Sequence, residues 1–277
     1  MDRWRGEAPG TVVGFGRIAC VDRYAGVHIA TGGLRMRVAI VSDVHGNLTA
    51  LEAVIADISR RGVDRVVHGG DLALIGCQPA EVIDRVRELG WSGIVGNTDE
   101  LLWRPEQHEV QLRNAPKLRS LLRLLFDEYA PATRELLGEE RVAWLRQLPS
   151  EHHEQDLLIV HASPGDLWRA PSPDADNQTL AETYGRRGAS TVAYGHIHRP
   201  YVRQLDQLTI ANSGSVGSPF DGDPRASYLL LESGRPEVVR VQYEVEREID
   251  LLRRSDYPDR DRIVDMRRRG KFVAVAN

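Results

Sequence analysis

From Met36 onward the polar and apolar positions alternate between short runs and longer stripes. Val38 to Asp43 is an apolar run closed by polar residues, the pattern of a buried strand. Leu48, Leu51, Val54, Ile55 and Ile58 then recur at helical spacing on one face, and Gly62 marks the stop. The pattern repeats with a strand over Asp64 to Asp71 and a helix carrying Val82, Ile83, Val86 and Leu89 that ends at Gly90. A third strand follows over Trp91 to Asn97. Alternation of this kind predicts a mainly parallel sheet in this half of the chain.

Residues 101–150 break the rhythm. Helices are predicted around Leu118 to Tyr129 and Glu135 to Leu148 with no strand between them, and Trp144, Leu145 and Leu148 read as packing for this insert. Strands resume at Leu157 to His161, Thr191 to Gly195, Leu208 to Asn212, Ala226 to Leu231 and Val238 to Tyr243. The last three lie close together in sequence and are expected to be antiparallel. A charged helical stretch from about Glu246 to Arg269 closes the chain, and its charges read as a solvated face. Residues 1–35 are glycine-rich and carry no sustained period, so Met36 reads as the natural start and the preceding stretch as a disordered or non-native extension. The alternative is a strand or arm packed on the domain. The expected organisation is an extension over 1–35, a domain over 36–245 that includes the insert 101–150, and a helical tail over 246–277.

Composition works mainly by exclusion. With 42% of 277 residues hydrophobic, the chain has ample material for a sizeable core. Lys plus Arg total 36 against 40 Asp plus Glu, and a net charge of -4 leaves no basic surface of the kind that binds nucleic acid. Only Lys117 and Lys271 are lysine, which reads as the arginine bias of a GC-rich genome. Cys20 and Cys77 are too few for a disulfide framework or a thiolate metal site, and they suit a reducing compartment. No apolar run approaches the roughly 18 residues of a membrane span. Arg3 and Arg5 are not followed by the apolar segment of a secretory signal. The cytoplasm is the expected location.

The informative feature is what stands where the strands end. Five endings carry side chains that bind metals: Ser42-Asp43-Val44-His45-Gly46-Asn47, Gly69-Gly70-Asp71, Gly96-Asn97-Thr98-Asp99, Val160-His161-Ala162-Ser163 and Gly195-His196-Ile197-His198. The carboxyl ends of parallel strands share one edge of a sheet, so residues far apart in sequence would converge there. Imidazole suits transition-metal ions, while carboxylate and amide oxygens suit harder ones. A carboxylate can bridge two cations about 3.5–4 Å apart that together clamp a phosphoryl group. His196 and His198, as alternate residues of a strand, would share a face. Glycines at these turns keep Cβ atoms out of the pocket.

These motifs, in this order, resemble the calcineurin-like metallophosphoesterases from Met36 to about Leu231, and more loosely to Gly270. The similarity is greatest to their small bacterial and archaeal branch. The family order of D-x-H, G-D, G-N-x-D/E, a lone H and G-H-x-H is complete, and the late loop from Gly217 to Tyr228 adds to the match. The resemblance implies an α/β fold, a four-layer α/β/β/α sandwich of two mixed sheets with a helical insert. It also implies two divalent ions, Mn²⁺ foremost, with Fe, Ni or Zn as alternatives. Asp43, His45 and His198 would hold one ion, Asp71 would bridge, and Asn97, His161 and His196 would hold the other. A bridging hydroxide would be the nucleophile, with Asp71 and Asn97 at the catalytic centre. Asn47, Thr98, Asp99 and Arg225 are the candidates for contacts behind the ligands or with substrate.

The implied reaction is hydrolysis of a phosphodiester or nucleotide-like phosphate ester, a small-molecule substrate. A dinucleoside polyphosphate pyrophosphohydrolase is the alternative. A non-catalytic scaffold of the same fold is a third reading, disfavoured because all seven ligand positions are intact. The oligomeric state is open. Many members carry His where Thr98 stands, the usual proton donor to the leaving group, so simple alkyl phosphomonoesters are expected to be poor substrates. His68, three residues before Asp71, is expected on the opposite strand face and partly buried. His28, His108, His152 and His153 show no ligand context and read as surface residues.

A chain that begins at Met36 is expected to keep the melting temperature and activity of the full-length protein. A large drop in melting temperature on truncation would show that residues 1–35 pack on the domain.

Overall fold

A computed structural model describes residues 36–275, so the extension expected over residues 1–35 lies outside the described residues. The apolar runs become short strands: β1 (Arg37–Val41), β2 (Arg65–His68), β3 (Ser92–Gly93), β4 (Glu151–Glu154), β5 (Leu157–Val160), β6 (Thr191–Tyr194), β7 (Tyr201–Leu205), β8 (Leu208–Asn212), β9 (Ala226–Glu232) and β10 (Arg235–Val241). They form two five-stranded sheets, ordered β10-β9-β1-β2-β3 and β4-β5-β6-β8-β7. In the first, β1, β2 and β3 are parallel and β9 runs antiparallel to β1. In the second, β5, β6 and β8 are parallel, with β4 and β7 antiparallel at the edges. Both sheets are mixed, as the resemblance implies.

Alternation along the strands sorts the cores. Val38, Ile40, Val67, Ile94 and Leu229 of the first sheet meet Leu157, Ile159, Ala193 and Ala211 of the second in one buried cluster. The intervening residues Ala39 and Val41 face the other way, onto helices α1 (Leu48–Arg61) and α2 (Pro79–Glu88). Leu158, Val160, Val192 and Tyr194 turn to the far side of the second sheet. There Leu180 and Tyr184 cover them from α7 (Asn177–Tyr184), which in chain order follows α3 (Asn97–Glu100), α4 (Gln107–Asn114), α5 (Arg119–Arg123) and α6 (Ala130–Arg146). The layers therefore run α/β/β/α. The insert is built of helices and turns without a strand: α5 passes through a π-helical turn at Leu124–Tyr129 into α6, which is kinked at Gly138.

Two expectations are corrected here. Leu208 to Asn212 is not part of an antiparallel trio with the strands after it. It joins the second sheet, parallel to β6, while β9 and β10 form a hairpin on the first sheet. The charged tail is also not simply a solvated face. Helices α8 (Val245–Arg254) and α9 (Arg260–Arg269) pack on each other, and α8 packs on α1. Ile249, Leu252, Ile263, Val264 and Met266 are buried, and so are Glu248 and Arg267. Charged residues of both signs interleave with the stripe and hide it in the sequence.

Leu229→Ala removes a side chain that is 0% exposed at the join of the two sheets, and is expected to destabilise the fold by about 2–5 kcal/mol. Urea denaturation checks this, with the midpoint falling and the slope unchanged.

Candidate metal centre

Five of the parallel strands deliver ligand-type residues where sheet hydrogen bonding stops. β1 gives way to Asp43 and His45, β2 to Asp71, β3 to Asn97 at the head of α3, β5 to His161, and β6 to His196 and His198. Backbone bonds tie these endings together. Asp43 N–H donates to Gly70 O at 3.0 Å, His45 N–H to Asp71 O at 3.1 Å and Gly195 N–H to His161 O at 3.0 Å. All seven sequence-predicted ligand residues reach one place at the joint edge of both sheets. Six are buried, and His196 is partly open to solvent.

The paired histidines get there by turning, not by strand alternation. Asp43, His45, Asp71, His196 and His198 all adopt left-handed backbone, with φ of 57°, 51°, 54°, 64° and 54°. Such residues are strained by about 1–3 kcal/mol each and persist only where the surroundings hold them. Two glycines make the turns fit. A Cβ at Gly96 would lie 2.0 Å from Asp71 Oδ1, and one at Gly195 would lie 2.2 Å from Asp43 Oδ2.

The donor atoms crowd each other. His198 Nε2 lies 3.1 Å from His45 Nε2 and 3.1 Å from Asp43 Oδ1. Asp71 Oδ2 stands between His45 Nε2, 3.8 Å away, and His161 Nε2, 3.4 Å away. Asn97 Oδ1 is 2.8 Å from His161 Nε2 and 3.0 Å from His196 Nδ1. Three of the imidazoles have their outer nitrogen engaged. Nδ1–H of His45 donates to Leu74 O at 2.9 Å, that of His161 to Gly69 O at 2.8 Å, and that of His198 to Ser218 O. A carbonyl only accepts, so the proton of each ring sits on Nδ1, and a neutral ring aims the Nε2 lone pair inward. Nε2 of His45 and Nε2 of His198 thus both point into the cluster, toward the Asp43 carboxylate.

The electrostatics agree. Burial holds the His45 pKa down to about 4, with His198 adding to the effect, so this ring is neutral at pH 7. Burial alone would raise Asp71, but His161, His45 and His196 together hold it well below the usual carboxylate range. Asp43 is likewise drawn down against burial, chiefly by His198. Burial opposes a charge on His161, yet the Asp71 carboxylate beside it lifts its pKa to about 9. Asp43, His45 and His198 offer three donor atoms within 4.8 Å of one another, and so do Asp43, Asp71 and His161. Imidazole nitrogens and carboxylates converging in this way fit a pair of divalent cations.

The four accessory candidates separate. Thr98 N–H donates to Asp71 Oδ1 at 2.9 Å, while its buried hydroxyl has no hydrogen-bond partner. Asp99 accepts from the N–H groups of Leu72, Ala73 and Gly96 and so holds the loop that follows Asp71. Burial and then the Asp71 charge raise its pKa to about 7. Asn47 caps α1, accepting from Ala50 N–H at 2.9 Å, and its amide reaches Gly217 O. Arg225 is exposed and paired with Asp223 at 2.6 Å.

His68 is fully buried, not partly so. Its ring lies against Gly93 and 6.1 Å from Trp144, both nitrogens lack partners, and burial depresses its pKa to about 3. His108 stacks on Phe126, and His152 and His153 lie on β4 beside Glu154 and Glu151. His28 lies outside the described residues.

Sequence reasoning missed the supports behind the ligands. The carbonyls of Leu74, Gly69 and Ser218 have no side-chain signature. Asn212 Nδ2 donates to Gly195 O at 2.6 Å, and Ser215 Oγ to Asp43 O at 2.7 Å. The small polar run Asn212-Ser213-Gly214-Ser215 at a strand end was their one visible signal.

The domain pattern of the calcineurin-like phosphoesterase superfamily matches residues 36–235, and the chain belongs to that superfamily. A metallophosphoesterase from Sphaerobacter thermophilus has a crystal structure that superposes with a TM-score of 0.69 at 29% identity, over 85% of this chain and 99% of that one. The protein MJ0912 of Methanocaldococcus jannaschii is 26% identical over 253 residues, 82% of this chain and 96% of its own. The phosphodiesterase YfcE of Escherichia coli strain K12 is 28% identical over 216 residues, 74% of this chain and 92% of its own.

Asp71→Asn is expected to weaken metal binding at both positions of the centre and to remove most activity, whereas His161→Ala is expected to lose chiefly one ion. Elemental analysis of protein equilibrated with Mn²⁺ counts the equivalents. Full loading of the Asp71→Asn protein contradicts the bridging role.

Proposed function

We propose that this protein is a two-metal phosphoesterase that hydrolyses small phosphodiesters or nucleotide-like esters with good leaving groups. The observation that carries the reading is the convergence of seven donor residues from five strand ends, with Nε2 of His45, His161 and His198 turned inward by the carbonyls that hold their Nδ1. In this reading Asp43, His45 and His198 hold one ion, Asp71 bridges, and Asn97, His161 and His196 hold the other. Two divalent cations, Mn²⁺ the first choice, would neutralise charge on the phosphoryl oxygens and supply a water acidic enough to act as nucleophile near neutral pH. The phosphodiesterase activity in the name of the E. coli relative supports a diester substrate. The free thiol of Cys77 suits a cytoplasmic setting. Among the described residues no helix is long and apolar enough to cross a membrane.

The protein's own groups decide which esters are cleaved. His45 stays neutral through burial, and its Nδ1–H bond to Leu74 O fixes the tautomer. His196, the partly open ligand, marks the side from which substrate approaches. At position 98 a threonine hydroxyl stands where an imidazolium would donate a proton, and a hydroxyl cannot do so near neutral pH. Asp99 is no substitute, because its carboxylate is occupied by three backbone N–H groups. His68 packs against Trp144 and Gly93, away from the donor cluster. The departing oxygen therefore leaves largely unassisted.

Rates are expected to depend steeply on leaving-group acidity, with p-nitrophenyl esters far ahead of alkyl monoesters and diesters competing well. Thr98→His should flatten this dependence, raising alkyl-ester rates by up to about 10²–10⁴-fold, the usual value of general-acid assistance. A series of aryl and alkyl phosphates at saturating Mn²⁺, assayed with both proteins, gives the slopes. A shallow slope in the unmodified protein would mean that another group donates the proton.

A further inference from the structure

The carbonyls that fix His45 and His198 sit on loops gripped from behind by the C-terminal end of the chain, which lies beyond the residues matched by the family domain. Leu74 O holds His45 Nδ1–H, and the next residue, Ile75, has a φ of 72°. Left-handed backbone is an outlier for a β-branched side chain, so this loop requires support from outside. Both polar groups of Ile75 receive it. Its N–H donates to Tyr257 Oη at 2.9 Å, and its carbonyl accepts from Arg267 Nη2 at 2.7 Å. The same Nη2 donates to His45 O at 3.1 Å. Tyr257 Oη is anchored in turn by Thr133 Oγ1 at 2.8 Å, within the helical insert. Arg267 is fully buried, an expensive place for a guanidinium, and the two carbonyls are its only hydrogen-bond acceptors among the described residues.

His198 is supported from the same segment. Ser218 O fixes its Nδ1–H, and Phe220, two residues on, stacks on the His198 ring at 4.2 Å between centroids and donates its N–H to His198 O. This loop is pinned by Gly222 N–H, which donates to Gly270 O at 2.8 Å. Phe272 then packs edge-on against Phe220 at 5.5 Å while remaining 44% exposed. A large aromatic side chain left half in solvent, touching the ring that touches a ligand, has an evident use here.

We propose that residues 257–272 brace the Asp43–His45–His198 half of the metal centre. Tyr257 and Arg267 hold the loop behind His45, and Gly270 and Phe272 hold the loop behind His198. The segment thereby sets the affinity of that half for its ion without touching the ion. The inference rests on the metal-centre reading above. Its residues are positioning residues, not catalytic ones, and its signature is a loss confined to one of two ion sites.

The test is calorimetric titration of chelator-stripped protein with Mn²⁺ alone. The unmodified protein is expected to take two equivalents, and His45→Ala identifies which binding phase belongs to the braced half. Arg267→Met and Phe272→Ala should each weaken that phase by about 10–100-fold, the usual effect of removing a support behind a ligand, and leave the other phase unchanged. Tyr257→Phe should weaken the same phase by less. Arg267→Met removes a buried charge and is the variant most prone to misfold. Phe272→Ala changes a half-exposed side chain and Tyr257→Phe deletes a single oxygen, so these two decide the matter if it does. The melting temperature of the stripped Phe272→Ala protein should match that of the unmodified protein. Unchanged affinities in both of these variants, or equal losses in both phases, overturn the brace. Failure of the unmodified protein to bind Mn²⁺ overturns the metal-centre reading as well.

Discussion

Two buried carboxylates and four imidazoles cannot share so small a volume unless positive charge is placed among them. At this site His45 Nε2 and His198 Nε2 stand 3.1 Å apart while the other nitrogen of each ring is committed to a carbonyl. The Asp71 carboxylate lifts the pKa of His161 to about 9 against the effect of burial, the same demand for positive charge expressed at the ring beside it. Much of the surrounding structure follows from this constraint. The left-handed turns, the glycines that admit the carboxylates and the backbone acceptors behind the rings all serve to keep repelling groups in place. Groups held in advance at such separations need no rearrangement when an ion arrives.

The fold makes the crowding affordable by dividing it. Each strand end contributes one or two residues, and two sheets packed through the cluster of Ile40, Val67, Ile159 and Ala193 hold those ends at fixed distances. A single turn could not carry seven donors without leaving most of its backbone groups unpaired. Spread over five endings, the loops satisfy one another, as in the bonds from Asp43 N–H to Gly70 O and from Gly195 N–H to His161 O. The helical layers contribute from outside the sheets, Asn47 by capping α1 and α9, through Arg267, by reaching the loop behind His45.

Much of this was legible in the residues because buried parallel strands read as apolar runs and the polar residues that interrupt them are conspicuous. Asp43, Asp71 and His161 could be placed from sequence for that reason. Strand alternation would put His196 and His198 on one face, yet left-handed turns are what bring the two rings to the centre. Edge strands were harder to read: Glu151-His152-His153-Glu154 is polar throughout and gave no apolar run, and β7 alternates too weakly to stand out. Sheet membership of Leu208 to Asn212 could not be read from its nearness to β9, since a crossing between sheets leaves no local mark. Arg267 looked like one charge in a run of charges, and only packing shows it buried beneath His45. Backbone carbonyls, which fix three of the four rings, are invisible in any sequence.

The central claim is that these residues form one dinuclear centre and not two independent sites. Electron paramagnetic resonance of chelator-stripped protein reloaded with Mn²⁺ tests it most directly, because Asp71 between the two halves should couple the ions magnetically. The account predicts that at full loading the spectrum is that of an exchange-coupled pair. Persistence of the resolved hyperfine pattern of isolated Mn²⁺ at full loading would contradict it.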